Sequence, residues 1–308
     1  MKLAIFGCGN IAKRIASSCK LVDEIQLVGF ASKDLAKAKE YSEAYECEEY
    51  GDYDYFLNSD IDAVYIAVYN PGHYELIRTC LEHGKSVICE KPMLASIEET
   101  QELFALAKEK GVTLMEALKS VFLPLNIRIK KMIQNKELGE VKELYASFMR
   151  CGHHPLSHWI NDPKTGGAFK DLGCYCIGTM NYLMDEEPKL LEAESDATDN
   201  KADSTAYVKL KYGDVMAKAA MSNSLDGDET LIVTTDKGYI RADHYWKSGS
   251  GYYVVNDERH EIEEECISDF YYELKHFAYL VDNKIPESPI MNKEASIRLL
   301  KITAGEKP

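Results

Sequence analysis

Residues 2–12 read Lys2-Leu3-Ala4-Ile5-Phe6-Gly7-Cys8-Gly9-Asn10-Ile11-Ala12. An apolar run enters a glycine turn, and residues 11–19 continue at helical spacing. The stretch is therefore strand, tight turn, helix. Gly-x-Gly-x-x-Ala in that setting is a dinucleotide-binding pattern. Gly7 permits the turn, Gly9 leaves room for a pyrophosphate beside the backbone, and Ala12 lets the helix pack close to the strand. The helix start at Asn10 and Ile11 offers unpaired N–H groups and partial positive charge to phosphates. A tight glycine turn with no ligand is the plainer alternative.

Working outward, apolar runs at 25–30, 63–68, 86–89 and 112–115 alternate with helical segments at 34–43, 72–83 and 97–110. Short buried runs between amphipathic stretches mean βαβ units and a parallel sheet. Residues 1–120 are thus expected to be a doubly wound α/β, Rossmann-type domain. The pattern changes near residues 117–122. A helix is expected at 124–135, a strand at 141–150, and a helix through 171–184 after the Pro/Gly/Asp-rich 161–167. From 190 to 262 the chain reads as successive strands, at 206–212, 215–223, 229–235, 238–243 and 252–256, with glycine and aspartate turns. Helices near 269–282 and 293–303 close the chain. Residues 121–308 therefore read as an α+β domain with a large, mostly antiparallel open sheet.

The chain has 308 residues, with 36 Lys plus Arg against 51 Asp plus Glu and a net charge of −15. That balance argues against nucleic acid or an anionic membrane as the main partner. No apolar run approaches the roughly 20 residues of a transmembrane helix, and the N-terminus reaches glycine too early for a signal peptide. The 9 cysteines are odd in number and scattered, which suits reduced thiols in a cytoplasm.

Phe30-Ala31-Ser32-Lys33-Asp34 follows the second apolar run. An NAD site would place an acid at the strand tip for the ribose 2′-hydroxyl. Ser32 and Lys33 suit a 2′-phosphate instead, so NADP is expected over NAD. Alternatively Ser32 caps the next helix and Lys33 is a solvated charge. Asn70, in Tyr69-Asn70-Pro71-Gly72-His73, is a candidate cofactor contact; His73 is read as a helix-surface residue. Cys89-Glu90-Lys91-Pro92 puts a lysine directly after a buried strand, at the cofactor end of the sheet. Pro92 biases Lys91 towards an extended backbone. The ammonium can orient a hydroxyl substrate and lower the pKa of a neighbouring acid. Glu90 lies beside it, near the expected nicotinamide ribose. In the second half, Asp171 and Tyr175 stand four apart, one face of a helix. From spacing alone, a capping Asp171 and a core-packed Tyr175 is the stronger reading.

The combination of Gly-x-Gly-x-x-Ala, Glu90-Lys91-Pro92 and Gly166-Gly167-Ala168-Phe169-Lys170-Asp171-Leu172-Gly173-Cys174-Tyr175 resembles the glucose–fructose oxidoreductase/inositol dehydrogenase/rhizopine-catabolism (Gfo/Idh/MocA) oxidoreductases. The resemblance spans both halves. It implies that Lys91, Asp171 and Tyr175 form the catalytic group. Lys91 also lies against the cofactor. Tyrosine rather than histidine at the last position is similar to the dihydrodiol dehydrogenase, xylose dehydrogenase and glucose–fructose oxidoreductase branch, which is NADP-linked. That branch reads Glu-Ala-Met-Trp-x-Arg-Phe-x-Pro near the cofactor and substrate. Here Glu116, Ala117, Phe122 and Pro124 agree, whereas Lys119 and Val121 depart.

Cys151, His153, His154 and His158 match no zinc spacing, so no metal is expected. His158 and Trp159 are candidate substrate contacts by proximity to the glycine motif. Residues 261–266 read as a solvated acidic edge, and Tyr252-Tyr253-Val254-Val255 as a sheet face suited to a homodimer or homotetramer. The expected function is hydride transfer between NADP and a secondary alcohol or carbonyl of a sugar, polyol or vicinal diol. The competing expectation is an NADP(H)-binding sensor without turnover. Keeping Lys91, Asp171 and Tyr175 together counts against the sensor.

Overall fold

The computed structural model describes residues 1–155 and 157–304. The chain begins β1 (Lys2–Phe6), α1 (Asn10–Cys19), β2 (Gln26–Ala31), α2 (Leu35–Ala44), β3 (Glu49–Gly51), α3 (Tyr53–Leu57), β4 (Ala63–Ile66), α4 (His73–Glu82), β5 (Ser86–Glu90), α5 (Ile97–Lys110) and β6 (Leu114–Ala117). It continues α6 (Pro124–Gln134), β7 (Val141–Met149), α7 (Ala168–Asp171), α8 (Gly173–Met184), β8 (Lys189–Ser195), β9 (Thr205–Tyr212), β10 (Val215–Ser222), β11 (Thr230–Thr235), β12 (Gly238–Asp243), β13 (Ser250–Val255) and β14 (Glu258–Glu263). It closes with α9 (Tyr271–Asp282) and α10 (Lys293–Thr303). Among the described residues no helix is long and apolar enough to cross a membrane.

Two compact units result, the first from Met1–Ala117 and Phe270–Ser296. Its six strands are all parallel in the order β3-β2-β1-β4-β5-β6, the doubly wound arrangement read from the sequence. Leu3, Ala4, Ile5 and Phe6 are all fully buried, as a strand covered on both faces requires. Local chemistry sets the helix ends. Asp34 caps α2 by accepting from Ala36 and Lys37, and Ser96 caps α5 by accepting from Glu99. Gly111, at φ 68°, ends α5 in the left-handed conformation. Residues 270–296 stand apart from the 121–308 grouping read from the sequence. Thr113 Oγ1 donates to Ile285 O at 2.8 Å, and Leu114 N to Pro286 O at 3.1 Å, which tie this late segment to β6.

The second unit comprises Leu118–Asp269 and the chain from Ile297 onward. Its eight strands run β14-β13-β12-β11-β7-β10-β9-β8, antiparallel except where β10 meets β7. In β9, Ala206, Val208, Leu210 and Tyr212 are buried, while Tyr207 and Lys209 face the other way. Strict alternation marks a sheet with one covered face. Helix α8 packs on β7 and β10, with α6 beyond it, which explains why nearly every α8 side chain is buried. The short β3 left no clear run in the sequence, and β8 falls at the start of the 190–262 strand region without bounds of its own. The acidic stretch read as an edge begins in β14, whose Glu261 and Glu263 are exposed at the end of the sheet.

Candidate active site

The glycine turn has the geometry its sequence requires. Gly7 lies at φ 115°, and its N–H donates to Ala31 O at 2.9 Å. A Cβ there would sit 2.5 Å from Ala67 O, so only glycine fits. Gly9 is the N-cap of α1 with an extended backbone, and a Cβ added to it would meet nothing within 4 Å. No side chain caps α1 and no acid occupies its first turn. Asn10 is exposed and Ala12 is buried. The space beside Gly9 and the uncapped N–H groups fit a dinucleotide phosphate.

At the tip of β2, Asp34 rather than Ser32 caps α2. This overturns the capping alternative for Ser32. Ser32 Oγ accepts from Asp34 N at 3.1 Å and pairs with the Cys8 thiol. Burial nonetheless pushes that thiol up to about 11. Lys33 is exposed. Asn70 opens a 3-10 turn, Asn70–Gly72, and is half-buried.

His73 is no surface residue: it is fully buried. Its Nδ1 lies 3.0 Å from Met93 O and its Nε2 3.1 Å from Val68 O. The ring thus joins the loop after β4 to the loop after β5. Burial pushes its pKa down, against the carbonyls, which favour the protonated ring. The helical spacing placed His73 correctly on α4 but could not show that this face turns inward.

Lys91 directly follows β5, is half-buried, and its peptide bond to Pro92 is cis. Around it the first unit gathers carboxylates. Tyr65 is fully buried and donates to Glu90 Oε1 at 2.9 Å, with Glu273 Oε1 at 3.4 Å. Glu273 comes from α9 and is itself fully buried. Glu116, at the end of β6, accepts from Met93 N at 3.0 Å. Burial pushes Glu116 above the ordinary carboxyl range, while the Met93 N–H, Ser296 and Lys91 pull it back. Tyr65 and Glu273 were not singled out in the sequence: one reads as a plain strand residue, and the other lies 182 positions beyond Lys91.

In the second unit, Gly166 and Gly167 are there for close approach. A Cβ on Gly166 would lie 2.4 Å from Ile160 O, and on Gly167, at φ 111°, 2.2 Å from Asp203 Oδ1. Asp203 accepts from Phe169 N at 2.6 Å and so seats the start of α7. Asp171 ends α7 and Tyr175 lies in α8, not in one unbroken helix as read from the sequence. Leu172 between them keeps right-handed helical angles, so the two still follow nearly one helical path. Asp171 and Tyr175 are both half-buried.

Tyr175 sits in an aromatic group. Phe148 is 5.6 Å and Trp246 6.0 Å from it, and Phe148 stacks on Trp246 at 4.7 Å. The indole N–H of Trp246 donates to Glu229 Oε2 at 2.8 Å. Glu229 also takes Arg150 at 2.6 Å and His244 at 3.0 Å. Lys119 is 1% exposed, ion-paired with Asp269. His158 and Trp159 pack with His154: His158 stacks on His154 at 4.2 Å and caps the turn Trp159–Asn161. Burial lowers His158, and the charge of Asp171 works the other way. His153 lies in a loop at φ 46°. Among the described residues no three His, Cys, Asp or Glu side chains are grouped to hold a metal.

Comparison with known proteins agrees with this architecture. A family model described as the oxidoreductase family with an NAD-binding Rossmann fold matches residues 1–118, and the GFO/IDH/MocA C-terminal domain matches residues 127–241. Trans-1,2-dihydrobenzene-1,2-diol dehydrogenase from Xenopus laevis is 29% identical over 87% of this chain and 84% of its own length. The Mus musculus protein of that name is also 29% identical, with the same coverage. A 3-ketoreductase from Actinomadura kijaniata, solved with NADP and TDP-benzene, shares the fold. Its TM-score is 0.90 at 21% identity, over 98% of this chain and 95% of that one. An aldose–aldose oxidoreductase from Caulobacter crescentus, solved with glycerol, gives a TM-score of 0.89 at 22% identity, with the same coverage. The two family models, one over the parallel-sheet residues 1–118 and one over residues 127–241 of the second unit, make this chain a member of the Gfo/Idh/MocA oxidoreductase family.

Proposed function

We propose that the chain is an NADP-dependent oxidoreductase acting on a secondary alcohol or carbonyl of a sugar, polyol or vicinal diol. The observation that carries the reading lies in the first unit. Lys91 follows β5 at the carboxyl edge of the same parallel sheet whose β1 runs into the Gly7–Gly9 turn, where α/β sheets bind their ligands. Bound, the cofactor would supply the hydride chemistry, the oxidised form accepting a hydride from the alcohol carbon and the reduced form giving one to the carbonyl. The backbone at Gly9, Asn10 and Ile11 would hold its pyrophosphate, and Ser32 and Lys33 its 2′-phosphate. The absence of an acid at residues 31–33 favours NADP over NAD.

Tyr175 takes the hydroxyl proton on its phenolic oxygen during oxidation and gives it back during reduction. Lys91 donates a hydrogen bond to the reacting oxygen and favours the ionised phenol. Asp171, four residues before Tyr175, fixes the polar surroundings of that ring. Glu90, braced by Tyr65, orients the nicotinamide ribose, with Asn70 a second contact. The diol named for the curated relatives supports this substrate class.

The uncovered face of the open sheet, with Tyr207 50% exposed, supports assembly of copies through that sheet as a homodimer or homotetramer. Nine cysteines without a disulfide support a cytoplasmic protein. The testing experiment is NADPH or NADP turnover against a panel of sugars, polyols and diols. Turnover that vanishes in Lys91→Ala while NADPH still binds is the expected result. Tight NADPH binding without turnover across the panel would favour a sensor.

A further inference from the structure

We propose that Lys119 is a positioning residue for Tyr175, its buried ammonium favouring the ionised phenol and holding the ring in its aromatic frame. The inference rests on the reading of Tyr175 as the proton-transfer group. Lysine is almost never buried unless paired, and Lys119 is paired, with Asp269. A buried ion pair is nevertheless weak ground for stability, because an apolar residue of similar volume avoids the desolvation penalty. What the ammonium touches is therefore informative. It lies 4.8 Å from the Trp246 ring centre and 5.8 Å from that of Tyr175. A cation over an aromatic face is attracted to it, and the attraction grows when the ring carries the negative charge of a phenolate.

Other side chains frame this contact. Phe148 of β7 closes one side of Tyr175, and Trp246 is fixed by Glu229. Lys119 itself lies in a 3-10 turn, Lys119–Phe122, that Thr179 secures through its hydrogen bond to Ser120 Oγ at 2.9 Å. Other charges face the pair. Asp171 precedes Tyr175 by one helical turn and bears on His158. The Tyr245 phenol feels Tyr175, but burial holds Tyr245 far above its ordinary value and hence neutral. Arg150 and Lys247 lie 5.3 and 4.7 Å from the Trp246 ring centre. Burial also raises the Cys266 thiol near Lys119, so Cys266 adds no charge near pH 7. Lys119 and Asp269 are thus opposite charges whose separate removal acts on Tyr175 with opposite sign.

The test is the pH profile of kcat/KM for alcohol oxidation, which reports groups of the free enzyme. Lys119→Met is expected to move the profile to higher pH by roughly one unit, the small end for a charge at this range. Lys119→Arg should restore it, and Asp269→Asn should move it to lower pH. A structural role predicts that Lys119→Met and Asp269→Asn, each of which breaks the ion pair, behave alike. If Lys119→Met fails to fold, the direction of the Asp269→Asn shift decides. Profiles that stay in place, or that move the same way in both variants, overturn the inference. Tyr175→Phe separates the two levels. Its full retention of turnover defeats the reading of Tyr175 itself, whereas its loss alongside unmoved Lys119 and Asp269 profiles defeats only the role of Lys119.

Discussion

The backbone N–H of Met93 donates to Glu116 Oε1 at 3.0 Å, so the last residues of β6 brace the loop that carries Lys91. Glu116 is buried, and burial raises its pKa above the ordinary 4.5. A carboxyl with a raised native pKa stabilises the fold below its unfolded value and loses that contribution as pH rises through the native value. Glu116→Gln keeps an acceptor oxygen and cannot ionise. The stability of wild type relative to Glu116→Gln should therefore be greatest below about pH 4.5 and fall above it. Thermal unfolding of both proteins from pH 4 to pH 8 checks this; a difference independent of pH contradicts it.

The two glycines of the turn should fail in different ways. Gly7→Ala forces an L side chain to φ 115° and into Ala67 O, with an expected loss of about 1–3 kcal/mol in stability. Gly9→Ala meets nothing in the protein and should melt close to wild type. Its NADPH affinity should nevertheless fall about tenfold or more, since the methyl group would occupy the phosphate's space. Melting curves and NADPH fluorescence titrations read the two effects separately.

Lys33→Ala should lower kcat/KM with NADP by about tenfold, the order of one charge-assisted hydrogen bond. The value with NAD should stay put. Ser32→Asp, which places an acid near the ribose, should shift preference further towards NAD. Equal losses with both cofactors would remove Ser32 and Lys33 from 2′-phosphate recognition.

Glu229→Ala leaves the indole N–H of buried Trp246 without its carboxylate. An unsatisfied buried donor costs about 1–3 kcal/mol, so denaturant unfolding should register that loss. Unchanged stability would mean that water replaces the carboxylate freely.

Much of this arrangement was legible from local chemistry. The parallel sheet follows from short apolar runs alternating with helices, and the tight turn at Gly7 from glycine spacing, because both depend on neighbours in sequence. Asp34 illustrates the first failure: with Ser32 and Asp34 both able to cap, only the backbone path shows which one accepts. His73 illustrates the second, since burial of one helix face depends on a loop twenty residues away. Glu273, Trp246 and Asp269 are the third kind. They act through side chains brought close by topology, and no periodicity carries that information. The bounds of strand β8, at the start of the 190–262 strand region, were not legible because Lys189–Ser195 is largely exposed at the sheet edge and lacks the buried alternation that marks β9.

The central claim is that Lys91 and Tyr175 serve one proton transfer on one substrate. The most direct measurement is a double-mutant cycle in kcat/KM with Lys91→Ala, Tyr175→Phe and the pair combined, with NADPH binding confirmed in each. Each single variant should lose about 10²–10⁴-fold, and the double variant should be scarcely worse than the poorer single one, as groups acting as a unit are strongly non-additive. Losses that multiply, or a single variant that turns over at the wild-type rate, would contradict the account.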